Sequence, residues 1–475
     1  LEALNTGYGR SINGSGINPF SMDLDFVTMN SVQSPVVSSN LFSGVNFYSV
    51  FGKLDYNFNE KYYFTGVVRR DGSSRFGIEN PYGNFWSVGA SWNLLSENAF
   101  KNIKALSAFK LHASYGTNGN AEIGNYTWRP SYAFGANYNG VAGGTFNNIG
   151  NTALTWEKNN QFDIGTSVGF LDSRINATFD YYIRKTEGSL LNQNLSRTTG
   201  FTGYINNVGS LQNQGIELTL NLVPVRTKDL TWEVNASFTN NKNKVTSLPT
   251  GDQLNGSYML RVGQPFYSFY NRGWAGVDPA TGVAMYYTDS TRTNTTTSRT
   301  AAPLFLVGKQ ADPKYYGTVG NTITYKGFSL NFDFYYNFGN YVQEAYAQYF
   351  LDGTYSTRGK YQMNLLRWQK PGDITNVPKY VASSSVVSSS GSDRLLSKGD
   401  YIRLRNIQLS YKYNDKKVLD KFHVNGVNIY ARGTNLWTKT YDANLLSDPE
   451  QGITGISNQQ VFASKSFTFG LNVTF

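Results

Sequence analysis

Apolar and polar residues alternate with a period of two along most of this chain, in segments of about ten residues, the length of a tilted strand crossing a bilayer. Tyr48, Val50, Leu54, Tyr56 and Phe58 are interleaved with Ser49, Lys53, Asp55, Asn57 and Asn59, and Phe51 alone interrupts the polar face. Ile175, Ala177, Phe179, Tyr181 and Ile183 stand against Asn176, Thr178, Asp180, Tyr182 and Arg184. Phe328, Leu330, Phe332, Phe334, Tyr336 and Phe338 stand against Ser329, Asn331, Asp333, Tyr335 and Asn337. Similar runs cover 162–170, 216–222, 232–238, 407–413 and 467–475. On the order of 14 strands can be counted, more than a compact sandwich uses. Alternation alone also fits a soluble array in which one face packs on a second sheet.

Connections between these runs alternate between short and long. Short turns are expected at 59–61, 171–173 and 326–327, and long polar connections at 190–207, 240–265, 288–302, 339–399 and 438–463. Around Thr295 the chain is Thr-rich and over 383–392 Ser-rich, so both stretches read as exposed and mobile. Aromatic pairs crowd the strand ends (Tyr62 and Tyr63, Phe85 and Trp86, Tyr181 and Tyr182, Tyr335 and Tyr336), as girdles at a membrane interface would. Stacking platforms for sugars are the alternative use of such rings.

Composition sharpens the choice. Charged residues make up 16% of the 475 residues, against the ~25% usual for soluble domains, while 34 Tyr, 31 Phe and 8 Trp make the chain strongly aromatic. Mean hydropathy is −0.40, and no apolar run approaches the ~20 residues of a spanning helix. A barrel accommodates both facts, because its polar residues line the interior. The absence of cysteine excludes disulfides and thiolate metal sites. A net charge of +10 raises nucleic acid as a partner, but Lys and Arg are scattered singly, and the cluster Lys416, Lys417 and Lys421 falls at a turn. No nucleic-acid partner is therefore expected. The chain opens at Leu1 without a secretory leader pattern, as a mature protein or a piece of one would.

Candidate chemistry is sparse. His112 and His423 are the two histidines, both in strand-like surroundings, too far apart in sequence to suggest a dyad or a metal cluster. The run from Gly353 to Lys360 has one residue too many for a phosphate loop, and Tyr361 follows where Ser or Thr is required. Gly14-Ser15-Gly16 lacks the third glycine of a dinucleotide fingerprint and reads as a flexible turn. Asp23 with Asp25, and Asp448 with Glu450, read as solvated acids in loops. Catalytic, cofactor and metal residues are thus expected to be none, substrate-binding residues are unassigned, and an enzyme is not expected.

Several ordered motifs resemble one family. They are DGSSRFG at 71–77, KLHASYGTNGN at 110–120, TTGF at 198–201, NVG at 207–209 and QGIE at 214–217. DPKYYG at 312–317, GDYIRLRN at 399–406, GTNL at 433–436 and DPE at 448–450 follow. Together they resemble the barrel of a SusC/RagA-type TonB-dependent outer-membrane transporter of Bacteroidota. The resemblance implies a 22-stranded transmembrane antiparallel β-barrel with an N-terminal plug, a SusD-like surface lipoprotein as lid, and TonB engaged through an N-terminal region that these residues do not contain. The expected fold is all-β, the C-terminal part of that barrel, set in outer-membrane lipid. Residues 1–475 form part of one barrel domain, with 1–44 a polar, loop-like lead-in and 45–475 strands with long extracellular loops. The implied function is import of a bulky nutrient, an oligosaccharide or peptide; a non-transporting scaffold in a larger outer-membrane assembly is the alternative. Phe475 closes a strictly alternating last run and resembles the terminal aromatic that marks such barrels for assembly. Motif residues, Arg403 and Arg405 among them, are expected to be architectural.

Overall fold

The computed structural model describes residues 2–6, 11–17, 33–40, 44–138, 141–351, 358–382, 391–415, 419, 421, 423–443, 445–458 and 461–475. Its main sheet is built from β1 (Glu2–Thr6), β2 (Val45–Phe58), β3 (Tyr62–Ser73), β4 (Tyr82–Asn93), β5 (Leu106–Asn120), β6 (Glu157–Phe170) and β7 (Ile175–Glu187). It continues through β8 (Ser210–Arg226), β9 (Leu230–Ser247), β10 (Tyr315–Tyr325), β11 (Phe328–Phe338), β12 (Tyr401–Tyr413), β13 (Gly426–Thr440) and β14 (Ser466–Thr474). Each pairs with its neighbour in sequence, so the 14-stranded sheet is an uninterrupted meander with β1 and β14 as its edges.

The registers align the alternating faces across strands. Val168, Ala177, Leu220, Ala236, Val319, Phe334, Leu404 and Trp437 form one apolar row over β6 to β13. On the opposite face His112, Gly165, Asp180, Glu217, Thr239, Tyr316, Asn337 and Tyr401 form a row over β5 to β12. That row starts in the middle of β5 and ends on the first residue of β12, the climb that strand tilt and stagger produce. A one-residue slip would exchange the two faces, so burying the apolar face in lipid fixes the register.

Short connections at 59–61, 171–174, 227–229 and 326–327 lie at one rim, and the expected tight turns are in place. Asn59 and Glu60 take φ of 53° and 56°, the left-handed pair that a two-strand reversal of this twist demands. Long connections gather at the other rim. Their described residues form further sheets: Gln253–Asn255, Tyr258–Leu260, Ser268–Asn271 and Phe305–Gln310 make a small sheet, and Trp274–Val277, Ala284–Tyr287 and Thr295–Thr296 another. A third joins three segments, since Tyr341–Glu344 pairs with Leu396–Lys398 and, in parallel, with Ile456–Ser457. Beneath the 121–156 connection, Phe76, Phe85, Leu154 and Trp156 form an apolar cluster. Gly119 makes it possible, because a Cβ there would lie 2.1 Å from the ring of Phe85.

Several expectations are corrected. Within 1–44, read as a loop-like lead-in, β1 pairs with β2, and Ser11–Ile17 pairs with Gln33–Asn40, so Gly14-Ser15-Gly16 lies in a strand rather than a turn. The connection expected from residue 240 begins only after Ser247, because β9 runs 18 residues, well past the ~10 that cross lipid. The Thr-rich stretch is exposed, as expected, and turns around Asp289, whose carboxylate accepts from the Asn294 and Thr293 N–H groups at 3.0 and 3.2 Å. Most of the Ser-rich stretch, and Asp23 with Asp25, lie outside the described residues. His423 sits in the turn before β13 with φ of 55°, not in a strand. The aromatic pairs split between faces: Tyr62 stacks on Trp92 at 6.0 Å on the apolar side, while the ring of Tyr63, on the polar side, meets Lys110.

Candidate functional site

The densest polar construction lies where β9 to β12 reach the long-loop rim. In β12 the residues Tyr401, Arg403 and Arg405 alternate with Ile402 and Leu404, and the register against β11 then shifts between Leu404 and Asn406. Such a bulge inserts one extra residue, which puts Arg405 and Asn406 together on the polar face. Asn406 thereby reaches Asp333, and the Arg405 guanidinium lies 4.8 Å from the ring centre of Tyr335.

Arg403 is 1% exposed. Its Nη2 donates to both carboxylate oxygens of Asp448 at 2.8 Å, its Nη1 to Glu450 at 2.6 Å and its Nε to Thr438 at 3.0 Å. Arg405 donates to the second oxygen of Glu450 at 2.6 Å. Asp448 also accepts the Glu450 and Ala463 N–H groups, each at 2.9 Å. Burial pushes the Asp448 carboxyl up, but these N–H groups and the guanidinium outweigh it and hold the group below its ordinary range. Of the pair read as solvated loop acids, Asp448 is therefore a buried latch, which with the exposed Glu450 fastens the β13–β14 connection onto β12.

Next to the latch, with Glu450 in common, is a cavity of about 370 Å³ lined by Tyr316, Tyr335, Asn337, Tyr401, Asp312 and Glu450, among others. Burial pushes the Asp312 carboxyl up to about 6, against the lowering effect of the Tyr267 N–H. Its Oδ2 is buried without a hydrogen-bond partner. Phenolic rings with apolar faces and polar tips, an amide and carboxylates suit a neutral, hydroxyl- or amide-rich solute. A second cavity of about 400 Å³ lies wholly within the loops, lined by Trp274, Arg292, Lys309, Glu344, Asp393 and Asp442 among others. Arg292 pairs with Asp393 at 2.6 Å. Burial lowers Lys309, partly countered by Asp393, and raises Glu344 to about 7 although the Leu446 N–H donates to it.

Phe475 follows the edge strand β14 and is exposed. His112, expected in a strand, is in β5, where its Nε2 lies 2.7 Å from Asp180 Oδ1. Gly353 to Lys360 falls largely outside the described residues. Of the cavity tyrosines, Tyr335 is the one the sequence names, as a polar-phase, strand-end aromatic for which stacking on a sugar is the alternative use, while Tyr316 and Tyr401 stand there only within the motifs DPKYYG and GDYIRLRN.

The family described as the β-barrel of TonB-dependent receptor-like proteins matches residues 4–307. The chain belongs to that family. The receptor barrel is 31% identical to TonB-dependent receptor P3 of Formosa agariphila over 90% of the chain and 45% of the relative. It is 28% identical to TonB-dependent receptor SusC of Bacteroides thetaiotaomicron, over 90% of the chain and 43% of the relative. A solved RagAB peptide transporter superposes with a TM-score of 0.80 at 27% identity, covering 94% of this chain and 49% of that one. The chain spans about half the length of these relatives. It is an outer-membrane barrel segment of SusC/RagA type, a family of transporters rather than enzymes, and none of its described helices is long and apolar enough to cross a membrane.

Proposed function

We propose that the chain is the barrel part of a TonB-dependent importer of a bulky nutrient, an oligosaccharide or a peptide, working with a SusD-like surface lipoprotein. The observation that carries this reading is the likeness to RagAB over 94% of the chain. Solute captured under the lipoprotein lid is held by hydrogen bonds and ring contacts in the tyrosine-lined cavity at the rim. TonB, acting through the N-terminal region of the intact receptor, then displaces the plug and opens the lumen. The latch from Arg403 to Asp448 keeps the cavity wall in place while the lid moves. In the same reading Phe475, terminal on an exposed edge strand, marks the barrel for assembly.

The test is to purify the intact receptor with its native partners and to measure uptake of labelled oligosaccharides and peptides with and without proton-motive force. Co-purification of one surface lipoprotein and uptake abolished by an uncoupler are expected. A fixed assembly of several unrelated outer-membrane proteins, without energy-dependent uptake, would replace this reading with that of a scaffold.

A further inference from the structure

In the middle of their strands, three ligating side chains converge on the polar wall of β5, β6 and β7. One imidazole nitrogen of His112 and one carboxylate oxygen each from Asp163 and Asp180 lie within 4.8 Å of one another. Sequence separation hides the grouping, because the three come from consecutive strands of the meander. Register explains it: His112 and Asp180 flank Gly165 in one row, and Asp163 is two residues from Gly165 on the same face. Gly165 is what lets the outer two meet across the middle strand. A Cβ there would lie 2.0 Å from Asp180 Oδ1 and 2.6 Å from His112 Nε2.

Charge makes the grouping costly without a cation. Glu217 stands opposite Asp180 in the next strand, so three carboxylates share this patch of wall. Both same-face cationic side chains nearby are turned to other partners. Lys110 lies 5.4 Å from the ring centre of Tyr63, and Arg184 donates to Gln161 at 3.0 and 3.3 Å. His112 is hydrogen-bonded to Asp180, and Asp163 feels the charge of both without a hydrogen bond to either. His112 and Asp180 keep 29% and 22% of their side-chain surface exposed, so an ion arriving through the lumen can reach them.

We propose that His112, Asp163 and Asp180 form a binding site for one divalent transition-metal ion of the zinc class in the luminal wall. One imidazole and two carboxylates are a donor set that suits zinc and its neighbours, whereas calcium and magnesium prefer oxygen alone. Tetrahedral ligands at about 2.0–2.1 Å stand roughly 3.3 Å apart, so side-chain rotations of an ångström or so gather the three around an ion and leave one position for water. Bound there, the ion crosslinks three strands through side chains, in addition to their backbone ladder.

The probe is Zn²⁺ alone, titrated calorimetrically into chelator-treated, untagged, full-length receptor in detergent, with Ca²⁺ in a parallel run. One Zn²⁺ per barrel and a higher unfolding temperature with Zn²⁺ are expected. Asp163→Asn and His112→Gln should each weaken binding by about tenfold or more, while the folded, heat-modifiable barrel is retained. Gly165→Ala, which drives His112 and Asp180 apart, should do the same. No uptake by the wild-type receptor, or Asp163→Asn binding Zn²⁺ as well as wild type, would overturn the site. Preference for Ca²⁺ would overturn the imidazole as a ligand.

Discussion

Removing the carboxylate of Asp448 would leave the guanidinium of Arg403 charged, almost wholly buried and without its bidentate partner. Breaking a buried pair from one side costs about 3–5 kcal/mol when the surviving charge is left uncompensated, and here Glu450, at 2.6 Å from Nη1, still offsets part of that charge. Asp448→Ala is therefore expected to destabilise the intact receptor by about 3 kcal/mol, the low end of that range, in a guanidinium titration, with loosening concentrated in the β13–β14 connection. Replacing both members, as Arg403→Met with Asp448→Leu, should cost less, since no charge is stranded. A double-mutant cycle in which the double variant is no better than Asp448→Ala would show that the latch acts through something other than the ion pair. Sequence could not have found this contact. GDYIRLRN and DPE were visible as separate motifs, but their partners lie 45 residues apart, and burial of Asp448 depends on three N–H and guanidinium donors that only the fold brings together.

Among the elements, the strands were the most legible part of the chain, because lipid on one side and water on the other enforce period two. The apolar phase read from Phe328 to Phe338 is the phase that lines up with Leu404, Ile407 and Leu409 across the ladder. Legibility failed where strands leave the membrane. Asn240, Lys242 and Lys244 continue β9 in the phase that Ala236 and Phe238 hold within the lipid, with Asn241 and Asn243 on the other face, since beyond the lipid neither face needs to be apolar. It failed again where aromatics crowd a strand end, for proximity in sequence says nothing about which face a ring takes. Charge placement tests the facing: Phe332→Arg, near the middle of β11, is expected to cost about 2–4 kcal/mol in a chaotrope-unfolding measurement. Asn331→Arg, one residue away on the polar face, should cost a fraction of that. Equal losses at the two positions would mean that the faces are assigned wrongly.

Taken as a whole, the molecule has a lopsided distribution of connections and two free sheet edges. β1 and β14 carry unpaired backbone groups that hydrocarbon cannot satisfy, and β14 adds exposed Phe467 and Phe469. The 475 residues expressed alone are therefore expected to give no heat-modifiable band on cold gel electrophoresis, whereas the intact receptor should give one. A compact, protease-resistant barrel from the segment alone would contradict the open-edged arrangement. The lopsided connections also imply an order of assembly. β2 with β3, β6 with β7, β8 with β9, and β10 with β11 are joined by two to four residues, so their ends are already close before any pairing begins. The connection over 248–314 is about four to five doublings longer, and closing it costs about 2.5–3 kcal/mol more chain entropy. The four hairpins should accordingly zip first and enter the bilayer as preformed pairs, leaving the seams beneath the long loops, where the rim cavity lies, as the last joints to seal.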